Sequence, residues 1–186
     1  MFKRNSFSLV EIIVATCIFL ILANMAFLTL NTGMNAWFSG GTSVELRNEI
    51  IRGLTAMAKE LKQTAPGEVD YPPSPGSATY IIFSLPQDLD NDGTIIDWSG
   101  FAANDYEPTI EYAPTTVRYE LNSTGQIIRI SSGQSRIIAK DIVSLQFTRP
   151  ATESDILQIN IGAQKKDKKG RVISDTASLI IKMRNN

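Results

Sequence analysis

The sequence predicts an α+β fold in which one long N-terminal helix packs against an antiparallel β-sheet. Three observations lead to this prediction. Residues 7–30 form an uninterrupted apolar stretch with the length of a membrane-crossing helix. Residues 31–64 continue with apolar positions at helical spacing, and residues 65–186 contain short runs of β-branched and aromatic residues separated by turn residues. The length allows one folded domain of ordinary size after the apolar helix.

The apolar stretch reads FSLVEIIVATCIFLILANMAFLTL, and Glu11 is its only charged residue. Lys3 and Arg4 precede it, and the next basic residue is Arg47. Because basic residues are retained on the cytoplasmic side of a membrane, this bias predicts a cytoplasmic N-terminus and an exported remainder.

Glu11 is predicted to have a function and a partner. A charged side chain inside a membrane helix costs roughly 2.5–3.5 kcal/mol on insertion scales. Cleavage between Ser6 and Phe7 would create an α-amino group four residues before Glu11. That amino group can then pair with the carboxylate, within the helix or on a neighbouring subunit.

Other interpretations of the stretch are weaker. A secretory signal peptide would be removed with its apolar core, and Glu11 within that core argues against it. A lipoprotein signal would use Cys17, but Thr16 is larger than the residue expected before a lipidated cysteine. A plain signal anchor, with Glu11 tolerated near the membrane interface, stays an alternative.

Residues 31–64 are predicted to form an amphipathic helix. Thr42 and Glu45 have the spacing of a capping box, which predicts that a helix restarts there. Glycine weakens a helix by roughly 1 kcal/mol, so the glycines before Thr42 indicate either a hinge or a weak helix without a function. The three glycines are Gly33, Gly40 and Gly41. The apolar positions predicted to pack on the sheet are Ile50, Ile51, Leu54, Met57, Ala58 and Leu61.

Residues 65–186 are predicted to form the exported β-rich domain. Residues 66–77 contain four prolines and connect the helix to the sheet. Residues 122–125 supply a hairpin loop, and residues 165–170 form a charged turn before the last strand. The predicted strands span residues 79–84, 109–112, 116–121, 126–131, 136–139, 142–149, 156–163 and 178–183.

Composition excludes several classes of function. The sequence has no histidine, so Ser-His-Asp triads, histidine acid–base catalysis and most zinc sites are excluded. The net charge of −1 offers no electrostatic basis for nucleic-acid binding. Cys17, in the apolar stretch, is the single cysteine, so no disulfide can form within the chain. We therefore expect neither an enzyme nor a nucleic-acid-binding protein.

One acidic segment suggests a cation site. Asp88, Asp90 and Asp92 alternate as in the opening of a calcium loop, where side-chain oxygens converge on one ion. The twelfth position from Asp88 is Ser99, where an EF-hand has a glutamate, and Asp97 is a substitute ligand. A calcium site and a solvated turn both stay open as interpretations. No other cofactor is predicted.

The first residues resemble the leader junction of type IV pilins and type II secretion pseudopilins. The resemblance rests on the sequence KRNSFSLVE of residues 3–11, followed directly by the apolar helix. It implies that residues 1–6 are a leader, that a prepilin peptidase cleaves between Ser6 and Phe7, and that Phe7 is N-methylated. Ser6 stands where the family usually has glycine, and Glu11 matches the family's fifth-position glutamate.

The resemblance also implies a location and partners. Residues 7–30 would form the transmembrane and filament-core helix, residues 31–64 the amphipathic helix and residues 65–186 the head domain of a pilin-like fold. The chain would cross the bacterial inner membrane once, with a periplasmic head domain, and enter a filament after assembly. Its partners would be the prepilin peptidase, other major and minor pilins or pseudopilins, and the inner-membrane assembly platform.

Residues 117–147 are similar to minor subunits of the pseudopilin J and pilus minor pilin W group. The similarity lies in a strand pair followed by a strand that leads into Val143, Leu145 and Phe147. It implies a position at or near the tip of a type II secretion pseudopilus or a type IV pilus. The alternative function is a membrane-anchored exported domain that binds calcium or another ligand and does not assemble.

Overall fold

A computed structural model of the chain describes residues 8–88, 94–97 and 109–184. The chain divides into two compact units, Met1–Gly41 and Thr42–Asn186. The helix α1 (Leu9–Leu61) contributes to both units. The strands belong to the second unit.

Helix α1 is continuous over 53 residues. The predicted restart at Thr42 is wrong, because the helix passes through all three glycines before it. Each glycine weakens a helix by only about 1 kcal/mol, and no proline occurs between Leu9 and Leu61 to interrupt the hydrogen-bond ladder. The helix ends at Leu61, three residues before the predicted end at residue 64. Ala65 is extended because it precedes Pro66.

The second unit contains two larger antiparallel sheets and a two-stranded ribbon. The sheet orders are β1-β3-β6-β7-β8, β11-β10-β9-β2 and β4-β5. This arrangement confirms the predicted α+β fold and divides the predicted sheet into separate parts. The strands are β1 (Val69–Tyr71), β2 (Gly76–Ala78), β3 (Tyr80–Phe83), β4 (Ile96–Asp97), β5 (Thr109–Ile110), β6 (Val117–Leu121), β7 (Ile127–Ser131), β8 (Gln134–Ala139), β9 (Ile142–Arg149), β10 (Ile156–Lys166) and β11 (Val172–Lys182).

Strands β1 and β2 were missed by the sequence prediction. Both lie in the proline-rich connection, where the prolines conceal short extended runs. β1 pairs with β3, and β2 pairs with the end of β9 through Gly76 opposite Arg149. Both are outer strands of their sheets, and an edge strand tolerates neighbouring prolines because one side of its backbone needs no partner.

The predicted hairpin loop between β6 and β7 is confirmed. The Asn122 side-chain oxygen accepts hydrogen bonds from the backbone N–H groups of Thr124 and Gln126, at 3.0 and 2.9 Å. Gly125 has φ of 74°, a conformation that glycine adopts without strain. These contacts determine the register that pairs Tyr119 with Arg129 across the hairpin.

The core of the second unit lies between α1 and the two larger sheets. Gly53 shows how closely these layers approach. A methyl group added at Gly53 would lie 3.3 Å from Ile127, 3.4 Å from Ala139 and 3.5 Å from Ile161, which belong to both sheets. The helical stripe was predicted correctly except at Ile51, which is 52% exposed. The buried residues of α1 are Leu46, Ile50, Gly53, Leu54, Met57 and Leu61.

Arg149 connects β9 to the proline-rich segment. Its side chain donates hydrogen bonds to the carbonyl oxygens of Pro66 at 3.0 Å, Pro72 at 3.2 Å, Val69 at 3.3 Å and Ser154 at 3.4 Å. The residue is 5% exposed, and this burial lowers the pKa of the guanidinium. Arg149 therefore satisfies carbonyl groups that a proline-rich segment cannot pair in a regular ladder.

Asp167 organises the turn between β10 and β11. Its carboxylate accepts hydrogen bonds from the backbone N–H groups of Lys169 and Arg171 and from the Arg171 Nε, at 2.8 to 2.9 Å. Burial alone would raise the pKa of Asp167. The pKa is nevertheless lowered overall, because Arg171 contributes hydrogen bonds and a positive charge and Lys169 contributes a further hydrogen bond. The turn begins at Asp167, two residues later than predicted, because β10 continues to Lys166.

We predict that Arg149→Met lowers the free energy of unfolding by about 2 kcal/mol or more. The substitution keeps much of the side-chain volume but leaves buried carbonyl groups without a donor. Arg47→Met is the matched control, because the Arg47 side chain is 73% exposed and should change stability by about 0.5 kcal/mol or less. Urea unfolding of the full chain in detergent measures both. Equal effects of the two substitutions would contradict the role given to Arg149.

We predict that Asp167 makes stability depend on pH at the acidic end. A carboxyl group whose pKa is lower in the folded state contributes stability above its unfolded pKa of about 3.9, and loses that contribution as the pH falls through the folded pKa. Asp167→Asn should therefore be less stable than the wild type at neutral pH. The difference should shrink below about pH 4. Unfolding measured across this range tests the prediction, and a difference independent of pH would contradict it.

Candidate assembly site at the start of the helix

Glu11 lies in the first turn of α1, where it accepts a hydrogen bond from the backbone of the same chain. Its Oε2 atom lies 2.9 Å from the Ser8 backbone nitrogen. Ser8 directly precedes the first helical residue, and its carbonyl accepts a hydrogen bond from the Ile12 N–H at 3.3 Å. This is the glutamate half of a capping box, and the positive end of the helix dipole also favours a carboxylate here. The spacing Ser-x-x-Glu of residues 8–11 is the sequence signal for this contact, which was not among the predictions.

The capping bond leaves part of the Glu11 carboxylate available. Oε1 accepts no hydrogen bond from the residues that the structure describes. A carboxylate accepts several hydrogen bonds, so a second donor can bind here without displacing the Ser8 N–H. Ser6 and Phe7 lie outside the described residues, so cleavage between them and the pairing of the Phe7 amine with Glu11 stay predictions.

The first unit exposes the apolar surface of α1. An 18-residue window of the helix has a mean hydropathy of 2.5, and none of it is buried, so α1 is long and apolar enough to cross a membrane. A continuous apolar surface of this kind needs lipid or neighbouring apolar helices around it. The exposed large apolar residues before Gly41 are Leu9, Val10, Ile12, Ile13, Val14, Ile18, Phe19, Leu20, Ile21, Leu22, Met25, Phe27, Leu28, Leu30, Met34 and Trp37.

Three threonine hydroxyls within this surface are satisfied inside the helix. Each donates a hydrogen bond to the carbonyl oxygen four residues earlier, a contact that removes the need for water. Such hydroxyls are therefore compatible with an apolar surrounding. The donors are Thr16 to Ile12 at 2.7 Å, Thr29 to Met25 at 2.9 Å and Thr32 to Leu28 at 2.9 Å.

The predicted calcium ligands are only partly described. Asp88 belongs to the described residues, whereas Asp90 and Asp92 do not. Asp97 lies in β4, where its backbone is opposite Thr109, and its side chain is not described. Among the described residues, no group of three or more acidic, histidine or cysteine side chains could hold a metal ion. The calcium site stays a prediction.

A second polar cluster, which was not predicted from the sequence, joins α1 to the first sheet, the five-stranded sheet β1-β3-β6-β7-β8. The Glu60 carboxylate accepts a hydrogen bond from the Tyr119 hydroxyl at 2.9 Å and from the Arg129 Nε at 2.9 and 3.0 Å. Glu60 looks like an ordinary solvated helix residue in the sequence. The predicted β6–β7 loop could have indicated the cluster, because it places Tyr119 opposite Arg129 on one face of the hairpin.

The cluster raises the pKa of both Tyr119 and Arg129. Burial raises the pKa of Tyr119, and the nearby negative charge of Glu60 raises it further, so the hydroxyl stays a donor. Burial alone would lower the pKa of Arg129, but the hydrogen bond and charge of Glu60 raise that pKa overall. Glu60 and Arg129 form a hydrogen-bonded ion pair, and the Tyr119 hydroxyl donates to the same carboxylate.

The comparisons with known proteins are negative. No family model matches the sequence, and no match is found among the curated proteins or the solved structures.

Proposed function

We propose that the chain is a minor pilin or pseudopilin, a structural subunit of a type II secretion pseudopilus or a type IV pilus. The observation that carries the proposal is the junction of residues 3–11, followed at once by the exposed apolar surface of α1. Each feature of this junction has an ordinary explanation when it is taken alone. The features are a basic leader, a small residue, an aromatic residue and an acidic residue four positions after it. Their combination before an uninterrupted apolar helix favours a filament subunit over an ordinary anchor.

In this proposal the chain crosses the bacterial inner membrane once before assembly. Its N-terminus is cytoplasmic, because Lys3 and Arg4 precede the apolar stretch. A prepilin peptidase removes residues 1–6 and methylates Phe7 on the cytoplasmic side. The second unit lies in the periplasm, and the assembly platform moves the subunit from lipid into a bundle of like helices.

Glu11 controls axial register in the proposed mechanism. Its capping bond to Ser8 holds the carboxylate at the helix start and leaves Oε1 for an ammonium group. In a bundle, that ammonium is the Phe7 amine of the same or a neighbouring subunit. An ion pair in an apolar surrounding is strong only when both charges are present, so misaligned subunits are disfavoured. The exposed apolar side chains of α1 then provide the lateral contacts.

The similarity of residues 117–147 to the pseudopilin J and pilus minor pilin W group supports a minor subunit at or near the filament tip. The strand that carries this similarity, β9, pairs with both β10 and β2 near the middle of the four-stranded sheet. In this position the chain would contact neighbouring minor subunits directly. The filament would support protein secretion or pilus biogenesis.

We predict that co-expression with a prepilin peptidase yields a mature chain that begins with N-methylated Phe7. Mass spectrometry of the N-terminal peptide measures both the cut and the methyl group. Ser6→Gly is the matched variant, because it restores the residue usual in the family and should be processed at least as completely. A chain that still begins with Met1 in both forms would return the protein to the class of anchored domains that do not assemble.

We predict that the charge of Glu11, and not its capping bond, is required for assembly. Glu11→Gln retains an oxygen that can accept the Ser8 N–H and removes the charge, whereas Glu11→Ala removes both. Both variants should still be cleaved. The amount of each variant in filaments should be at least about tenfold lower than that of the wild type, which corresponds to a lost interaction of about 1.4 kcal/mol. Immunoblots of sheared filaments measure incorporation. Normal incorporation of Glu11→Gln would contradict the ion-pair mechanism.

A further inference from the structure

A groove of about 560 Å³ lies in the second unit between α1 and the first sheet. The Glu60–Tyr119–Arg129 cluster belongs to its lining, and the groove is separate from the apolar surface proposed for assembly. Helix α1 contributes Ala56, Lys59 and Glu60 to its lining, and the sheet contributes Tyr119, Arg129 and Arg136.

The groove is basic although the chain has a net charge of −1. Glu60 is the only acidic residue among its described lining residues, and Arg129 and Tyr119 already satisfy that carboxylate. Lys59 and Arg136 are exposed and form no ion pair with a described residue. These two cations therefore remain available to an anionic partner.

The walls of the groove favour a peptide over a small anion. Ala56, Leu85 and Ile137 add apolar surface beside the cations, and Ile137 is 43% exposed. Strand β8 borders the groove and is an edge strand, with β7 as its only strand partner among the described residues. An edge strand can add an extended chain through backbone hydrogen bonds, while neighbouring side-chain sites select its residues.

The same walls disfavour a nucleic acid. Single-stranded nucleic acids bind through bases stacked on exposed aromatic rings as well as through phosphate contacts. Tyr119 is the aromatic residue among the described lining residues, and it is 1% exposed. A base therefore has no ring to stack on here, whereas an alternating acidic and apolar peptide matches both the cations and the apolar wall.

We propose that this groove binds an extended acidic segment of a partner protein. Carboxylates of the segment pair with Lys59 and Arg136, its apolar side chains contact Ile137, and its backbone pairs with the free edge of β8. The Arg129 charge is balanced by Glu60, so Lys59 and Arg136 supply the positive charge that the segment binds. The proposal requires neither leader cleavage nor filament assembly, so it can be tested on the unprocessed chain.

The test uses the full chain in detergent micelles and a fluorescein-labelled seven-residue peptide of alternating glutamate and valine. Fluorescence anisotropy should show saturable binding that weakens with added salt, because the contacts are charged and partly exposed. Lys59→Gln and Arg136→Gln should each weaken binding roughly threefold, and the double variant about tenfold. Hydrogen exchange should slow at the amides of β8 when the peptide binds.

Lys62→Gln is the matched control. Lys62 is also exposed and lies three residues from Lys59, but it does not line this groove. Lys62→Gln should leave the affinity for the acidic peptide unchanged. Urea unfolding should show that all variants retain the wild-type stability. A peptide of alternating lysine and valine should not bind.

Several outcomes would overturn the proposal. One is that the acidic peptide fails to bind, and another is that Lys62→Gln weakens its affinity as much as Lys59→Gln does. Hydrogen exchange at the β8 amides that is unchanged by the peptide would also contradict the proposal. Tighter binding of a single-stranded oligonucleotide would assign the groove to nucleic acid, and full competition by millimolar inorganic phosphate would assign it to a small anion.

Discussion

The structure depends on the fact that α1 presents different surfaces along its length. In the first unit its apolar side chains are exposed, and an 18-residue window has none of its residues buried. In the second unit one face of the helix is buried, and Gly53 lets that face approach both larger sheets. One continuous helix can therefore supply an apolar surface for lipid or other helices and also complete the core of a folded domain.

The second unit needs polar contacts where regular pairing fails. The four prolines of the connection have no backbone N–H and prevent a long strand, so the Arg149 guanidinium binds carbonyl groups of this segment. The turn before β11 is closed by Asp167, and the helix-to-sheet contact is joined by Glu60 with Arg129. Each of these charged groups is at least partly buried and hydrogen-bonded, as the cost of removing a charge from water requires.

The Glu11 contact links local helix chemistry to the proposed assembly. A carboxylate in an apolar helix is costly, and the Ser8 N–H reduces that cost by one hydrogen bond without neutralising the charge. The remaining charge needs a cation, and the proposed processing at Phe7 would create one nearby. The groove beside β8 involves different residues, so the proposed filament assembly and the proposed binding of an acidic segment can be tested separately.

The sequence by itself determined the elements that depend on local periodicity and composition. These are the long helix, the exposed apolar surface, the β6–β7 hairpin and the strand at residues 142–149. The tertiary structure decided the division into separate sheets, the pairing of Gly76 with Arg149 and the meeting of Glu60 with Tyr119. Those contacts join residues far apart in the chain, and no local spacing encodes them. The helix also continued through its glycines, because their local cost is small and no proline interrupts the hydrogen-bond ladder.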